Sequence, residues 1–207
     1  DATITSTSGD NFYYVSAQDG DAIINTGDGD LLATVSAGRW VTLNAGDGDS
    51  RITVNQGMGM GGGGGGGMNG SGDGDHEGMA DMIVTLTLGD GSQRIDVKHS
   101  TDTIIVTGVG NSDIDVMAMR DVAITAGSGN SNFTVSGPHH DDNGGQLDDV
   151  KITAGVGNST FDVSNAQTAV ISAVSGSSTF NVLAAASPTA NASVTNGNGD
   201  SVYNVTG

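Results

Sequence analysis

Nine times along this 207-residue chain a glycine is followed four residues later by an apolar side chain and six residues later by valine. The glycines are Gly9, Gly29, Gly48, Gly91, Gly110, Gly129, Gly157, Gly176 and Gly199, and the valines are Val15, Val35, Val54, Val97, Val116, Val135, Val163, Val182 and Val205. The apolar residues between them are Tyr13, Ala33, Ile52, Ile95, Ile114, Phe133, Phe161, Phe180 and Tyr203. The fifth position is mostly polar, from Thr34 and Thr53 to Asp162 and Asn204, so the segment alternates as a half-buried strand does. A second apolar position lies five residues before each glycine, at Ile4, Ile24, Leu43, Leu86, Ile105, Ile124, Ile152, Ile171 and Val194. One repeat therefore reads as strand, glycine turn, strand, second turn.

The turn glycines are separated by 20, 19, 43, 19, 19, 28, 19 and 23 residues, a repeat of 19 with insertions. A unit of that size cannot bury its apolar side chains alone. Stacked on its neighbours it builds parallel strands around a continuous core. The expected fold is all-β: one parallel β-solenoid domain over residues 1–207, of about nine coils with two short strands per coil and Gly-rich turns. Insertions are expected to leave the coils near residues 57–81, 138–147 and 184–190. The residues after the turn glycines form two further rows. Asp10, Asp30, Asp49, Asn111, Asn130 and Asn158 stand one place after the glycine, and Ser50, Ser112, Ser131, Ser159, Ser178 and Ser201 stand two places after it. Both are expected to bond nearby backbone and close the turn.

Composition removes several function classes. Six basic residues against 24 acidic ones, with a net charge of -18, argue against nucleic acid or an anionic membrane as partner. No apolar run approaches the roughly 20 residues that span a bilayer, so no membrane insertion is expected. The chain holds no cysteine and begins at Asp1. Both are expected of an extracellular or cell-surface protein whose signal peptide has been removed. No Gly-Lys-Ser/Thr phosphate loop and no Gly-x-Ser-x-Gly nucleophile motif occurs. Arg51, Arg94, Asp96 and Asp115 share a strand face, but a carbohydrate-cleaving site would need a groove that nothing in the sequence predicts. The expectation is a protein that is not an enzyme.

Gly-Asp-Gly-Asp at residues 27–30 and again at 46–49 resembles the calcium-binding nonapeptide of repeats-in-toxin proteins. The chain as a whole is loosely similar to bacterial extracellular parallel β-solenoids of the repeats-in-toxin and adhesin type. That resemblance implies hard-oxygen calcium sites among Asp28, Asp30, Asp47 and Asp49. The family's aspartate falls two residues after the second glycine, where this chain mostly carries serine. His139, His140, Asp141 and Asp142 also have metal-ligand chemistry, set against the plainer reading of a solvated loop. In the first insertion seven glycines, 61–67, lie among Met58, Met60, Met68, Met79 and Met82. With His76 these methionines have the chemistry of a soft-metal site such as copper, against the alternative of deformable apolar filler.

The chain starts within a strand, with Ala2 and Ile4 in frame, and stops two residues after Val205, with Tyr203 and Val205 in frame. No capping segment is recognisable, and an open solenoid end templates further strand pairing. The leading expectation is a structural subunit of an extracellular filament or surface fibre, a homopolymer built head to tail by stacking terminal coils. The first alternative is a monomeric adhesin or ice-binding solenoid displaying a Thr/Asn/Ser face, with Thr42, Thr85, Thr87, Thr125, Thr153 and Thr195, and with cell-surface or matrix glycans as the adhesin's partners. The second is a calcium-binding passenger segment of a larger secreted protein.

Overall fold

The computed structural model describes residues 1–18, 20–57, 81–137, 146–184 and 190–206. These contain fifteen strands and no helix: β1 (Ala2–Thr5), β2 (Asn11–Ala17), β3 (Ala22–Asn25), β4 (Leu31–Ala37), β5 (Trp40–Ala45), β6 (Ser50–Gln56), β7 (Ile83–Leu88), β8 (Gln93–Val106), β9 (Ser112–Ala126), β10 (Ser131–Ser136), β11 (Leu147–Val156), β12 (Ser159–Ser175), β13 (Ser178–Ala184), β14 (Asn191–Asn198) and β15 (Ser201–Thr206). All pairings between them are parallel, each strand lying against its counterpart in the next coil. The described residues stack as a parallel β-solenoid of about nine coils.

The register is the one the repeat dictates. Ile4, Ile24, Leu43, Leu86, Ile105, Ile124, Ile152, Ile171 and Val194 form one unbroken ladder. The valines form a second, from Val15 to Val205, and the row from Tyr13 to Tyr203 forms a third. Away from the two end coils every member of these ladders is buried. Alternation along each strand, as in the BeBiBiB burial of β4, turns one face to the shared core and the other to solvent. A register slip of one residue would expose a whole ladder, so the pairing is strongly specified.

Two strands per coil is an incomplete description. β8, β9 and β12 run 14, 15 and 17 residues because the chain stays extended through the second corner and passes from one sheet face to the other. In β8 and β12 the corner is marked by irregular register and by His99 and Asn165 at φ 59° and 63°. The first and second insertions leave the stacking intact. Leu43 pairs with Leu86 and Val54 with Val97 across the first, and Val135 pairs with Val163 across the second.

The nine glycines identified from the repeat are the nine glycines with positive φ, from 95° to 150°, among the described residues. At Gly129 there is a second requirement: a Cβ would drive into the carbonyl of Gly110 in the coil below. The turns stack too closely for any side chain, so glycine sets both the direction of the chain and the spacing of the coils.

Candidate functional site

The sequence suggests that the aspartates and asparagines beside the glycine turns bond their own turn, and Asn11 does so by donating to the Gly9 carbonyl, but those one place either side of the glycine do otherwise. They bond the next coil. Asp10 Oδ1 accepts from the Asp30 N–H at 3.1 Å, Asp30 Oδ1 from Asp49 at 3.0 Å, and Asp49 Oδ1 from Ser92 at 2.7 Å. Beside this row runs another, in which Asp28 accepts from Asp47, Asp47 from Asp90, and Asp90 from Val109, all at 2.7–3.1 Å. Asn111, Asn130 and Asn158 continue the first row onto Asn130, Asn158 and Ser177 at 2.9–3.0 Å. A backbone N–H at a turn lacks a regular ladder partner, and a short carbonyl-bearing side chain one coil away supplies it. Asp28, Asp30, Asp47 and Asp49 thus each commit one carboxylate oxygen to the stack. Among the described residues no three Asp, Glu or His side chains gather as metal ligands.

The serines two places after each glycine also differ from expectation. Ser50, Ser112, Ser131, Ser159 and Ser178 point into the coil and are buried. The available signal was Leu31, which holds the same place in the second coil and shows that the inward alternation begins there. Met82 is fully buried in the core and serves as apolar filler. His76, Met58, Met60, Met68 and Met79, and likewise His139, His140, Asp141 and Asp142, lie outside the described residues.

On the outer face of the second strands the fold brings Arg51, Arg94, Asp96 and Asp115 together on adjacent coils, with Lys98, Asp113 and Asn132 beside them. Arg94 reaches Asp113 at 3.7 Å and Lys98 donates to Asp96 at 3.0 Å. Loss of hydration pushes the Asp115 carboxyl above its usual range, and the Asp96 carboxylate directly beside it adds to the effect. Further along this face Phe12 and Tyr14, 73% and 74% exposed, stand beside Leu32. The sequence frame marks all three as outward, and its register sets Phe12 beside Leu32. On the other face, Thr5, Asn25, Asn44, Thr87, Thr125, Thr153, Ser172 and Thr195 form one rank broken by Val106. The adjoining rank holds Thr42 and Thr85 but also Ile23, Ile104, Lys151 and Val170.

The two end coils carry the remaining candidate residues. Ala2 and Ile4 are half-buried at one end, and Tyr203 and Val205 are each 49% exposed at the other. Tyr203 continues a column of stacked rings: Phe133 to Phe161 at 5.0 Å, Phe161 to Phe180 at 4.8 Å and Phe180 to Tyr203 at 5.0 Å. The two edges are hydrogen-bond complements. Within the stack Gly9 and Asn11 donate to the Asp28 and Asp30 carbonyls of the following coil, and Gly176 and Ser178 donate to Asn198 and Asp200, all at 2.8–2.9 Å. By the same pattern the outer edge of the last coil presents the N–H groups of Gly199 and Ser201. The outer edge of the first presents the carbonyls of Ser8 and Asp10.

Unbroken parallel ladders and stacked glycine turns define a parallel β-solenoid repeat protein. Comparison of the chain with protein-family models, curated proteins and solved structures gives no match. The functional reading therefore rests on geometry.

Proposed function

We propose that this chain is a structural module of an extracellular fibre, joining further copies of itself by stacking its last coil on the first coil of the next. The single observation that carries this reading is the complementarity of the two end edges. Tyr203 is positioned to stack on Tyr13 of the following copy, Val205 on Val15 and Val194 on Ile4, each pair continuing a ladder already nine rungs long. Gly199 and Ser201 would donate to the Ser8 and Asp10 carbonyls, and Asp200 would accept from the Asp10 N–H as Asp10 itself accepts from Asp30. Such a contact is heterologous and does not close, so it propagates into a filament.

At about 4.8 Å per coil, nine coils give an axial repeat of about 43 Å. Electron microscopy of the purified chain is expected to show filaments with that repeat. Dispersed monomers at high concentration would overturn the reading. One observation favours a second reading, an ice-binding or adhesive face: the rank from Thr5 to Thr195. Thermal hysteresis from a monomeric protein would select it.

A further inference from the structure

Inside every coil the residue three before the turn glycine faces the residue two after it, across the base of the turn. In two of the coils where both are polar they bond; in the first coil Asn11 instead donates to the Gly9 carbonyl and accepts from Tyr13. Thr107 and Ser112 share a hydrogen bond of 3.2 Å, and Asn196 Nδ2 donates to Ser201 Oγ. In the three coils between them the first place holds alanine: Ala126 opposite Ser131, Ala154 opposite Ser159 and Ala173 opposite Ser178. All three serine hydroxyls are buried and without a protein partner, in residues 6%, 4% and 3% exposed. The converse holds in the second coil, where Thr26 faces Leu31 and the threonine hydroxyl has no partner.

The serines stand in register, Ser131 on Ser159 and Ser159 on Ser178, one coil apart at about 4.8 Å. Direct hydroxyl-to-hydroxyl bonds need about 2.7–2.8 Å, so the stacked serines cannot satisfy one another. A water about 2.8 Å from both members of a pair spans that separation with ordinary geometry. Each alanine lacks the hydroxyl that Thr107 places in the same position, so the serine has no side-chain partner across the turn. A site that is polar, enclosed and flanked by otherwise unsatisfied groups is where buried water belongs.

We propose that ordered water occupies this row, one molecule bridging Ser131 to Ser159 and another bridging Ser159 to Ser178. Hydroxyl and water then alternate in a hydrogen-bonded file inside the solenoid, beneath the glycine turns. The file stands on the coil interior alone and is independent of the proposed filament contact.

Ser159 belongs to both bridges, so Ser159→Ala tests the file. With water present, the substitution removes a partner from two molecules, and Tm is expected to fall by about 2–4 °C. Without water, the same substitution relieves a buried unpaired hydroxyl, and a Tm that is unchanged or raised overturns the proposal. Ala154→Thr supplies the missing protein hydroxyl on the pattern of Thr107 and Ser112. It is expected to fold with unchanged far-ultraviolet circular dichroism and to bring its hydroxyl to about 3.2 Å from Ser159 Oγ, as in the Thr107 pair. A crystal structure of the unsubstituted chain decides the matter should either variant fail to fold. Water density within hydrogen-bond distance of Ser159 Oγ and of a neighbouring serine is expected, and its absence, or a serine hydroxyl bonded to backbone, overturns the file.

Discussion

Gly9 and Gly199 hold the same place in the first and last coils, at φ 95° and 137°, yet their surroundings differ in kind. A Cβ on Gly199 would strike the carbonyl of Gly176, whereas a Cβ on Gly9 would meet nothing within 4 Å. The close approach at each turn is always to the coil on the amino-terminal side, so Gly9 points out of the molecule, towards the place where Gly199 of a preceding copy would stack. Gly9→Ala is therefore expected to cost only the strain of positive φ, about 1–2 kcal/mol, and to leave the subunit folded. It should nonetheless abolish filaments, because the added methyl blocks the close stacking of turns. Sedimentation together with circular dichroism checks both halves. Filaments of normal repeat from this variant would remove the end-to-end contact from consideration.

Gly129→Ala is expected to behave quite differently. It combines unfavourable φ with a clash against the Gly110 carbonyl in the middle of the stack, where neither backbone can withdraw without opening the coil spacing. Strain alone is about 1–2 kcal/mol, and the clash adds to it. Denaturant titration should place this variant well below Gly9→Ala.

The ring column gives the third prediction. Phe161 lies between Phe133 and Phe180, fully buried and stacked on both. Phe161→Ala should cost about 3–5 kcal/mol. In a solenoid each coil touches only its neighbours, so the loss falls on two adjacent interfaces rather than on the whole core. Limited proteolysis is expected to release the coils beyond residue 157 before those preceding residue 129.

How much of this was legible in the sequence follows from the kind of force involved. The three core ladders and the nine turn glycines are set by steric and hydrophobic requirements that recur at every coil, and recurrence makes them visible. Asn130 shows what stayed hidden. Its residue type announces a turn, but whether its oxygen meets its own turn or the Asn158 N–H depends on the direction of the side chain relative to the stacking axis. The inward Ser131 was obscured because serine is common both in turns and in small buried gaps. Thr103 stands in an otherwise mostly apolar inward row and is satisfied by Ser100 at 2.6 Å, a partner from the irregular second corner where the repeat gives no frame. Met82 looked like part of the insertion because its neighbours are, although its place beside the start of β7 puts it in the core.

The asparagine row itself can be tested. Asn130→Ala removes the acceptor for the Asn158 N–H and should destabilise the protein by about 1 kcal/mol, or about 2–4 °C in Tm. Asn130→Asp retains an oxygen in the same place, as Asp30 does for Asp49, and should recover most of the loss. Equal effects from the two substitutions would show that the inter-coil bond carries no stability.

Asp115 supplies the prediction about pH. Its carboxyl is raised first by loss of hydration and then by Asp96 beside it, while Lys98 opposes the shift and Asp113 adds to it. A carboxyl raised in the folded state binds its proton more tightly there than in the unfolded chain. Its contribution therefore favours folding below the ordinary aspartate value of about 3.9 and is lost as pH rises through the raised value. At neutral pH the ionised Asp115 opposes folding, and Asp115→Asn, which cannot ionise, should raise Tm. On acidification the unsubstituted carboxyl takes up its proton and the advantage of asparagine should disappear below about pH 3.9. Melting curves of the two proteins between neutral and acid pH are expected to converge at the acid end. A constant difference across the range would mean that the amide acts through packing, and that the proximity of Asp96 and Asp115 places no electrostatic load on this face.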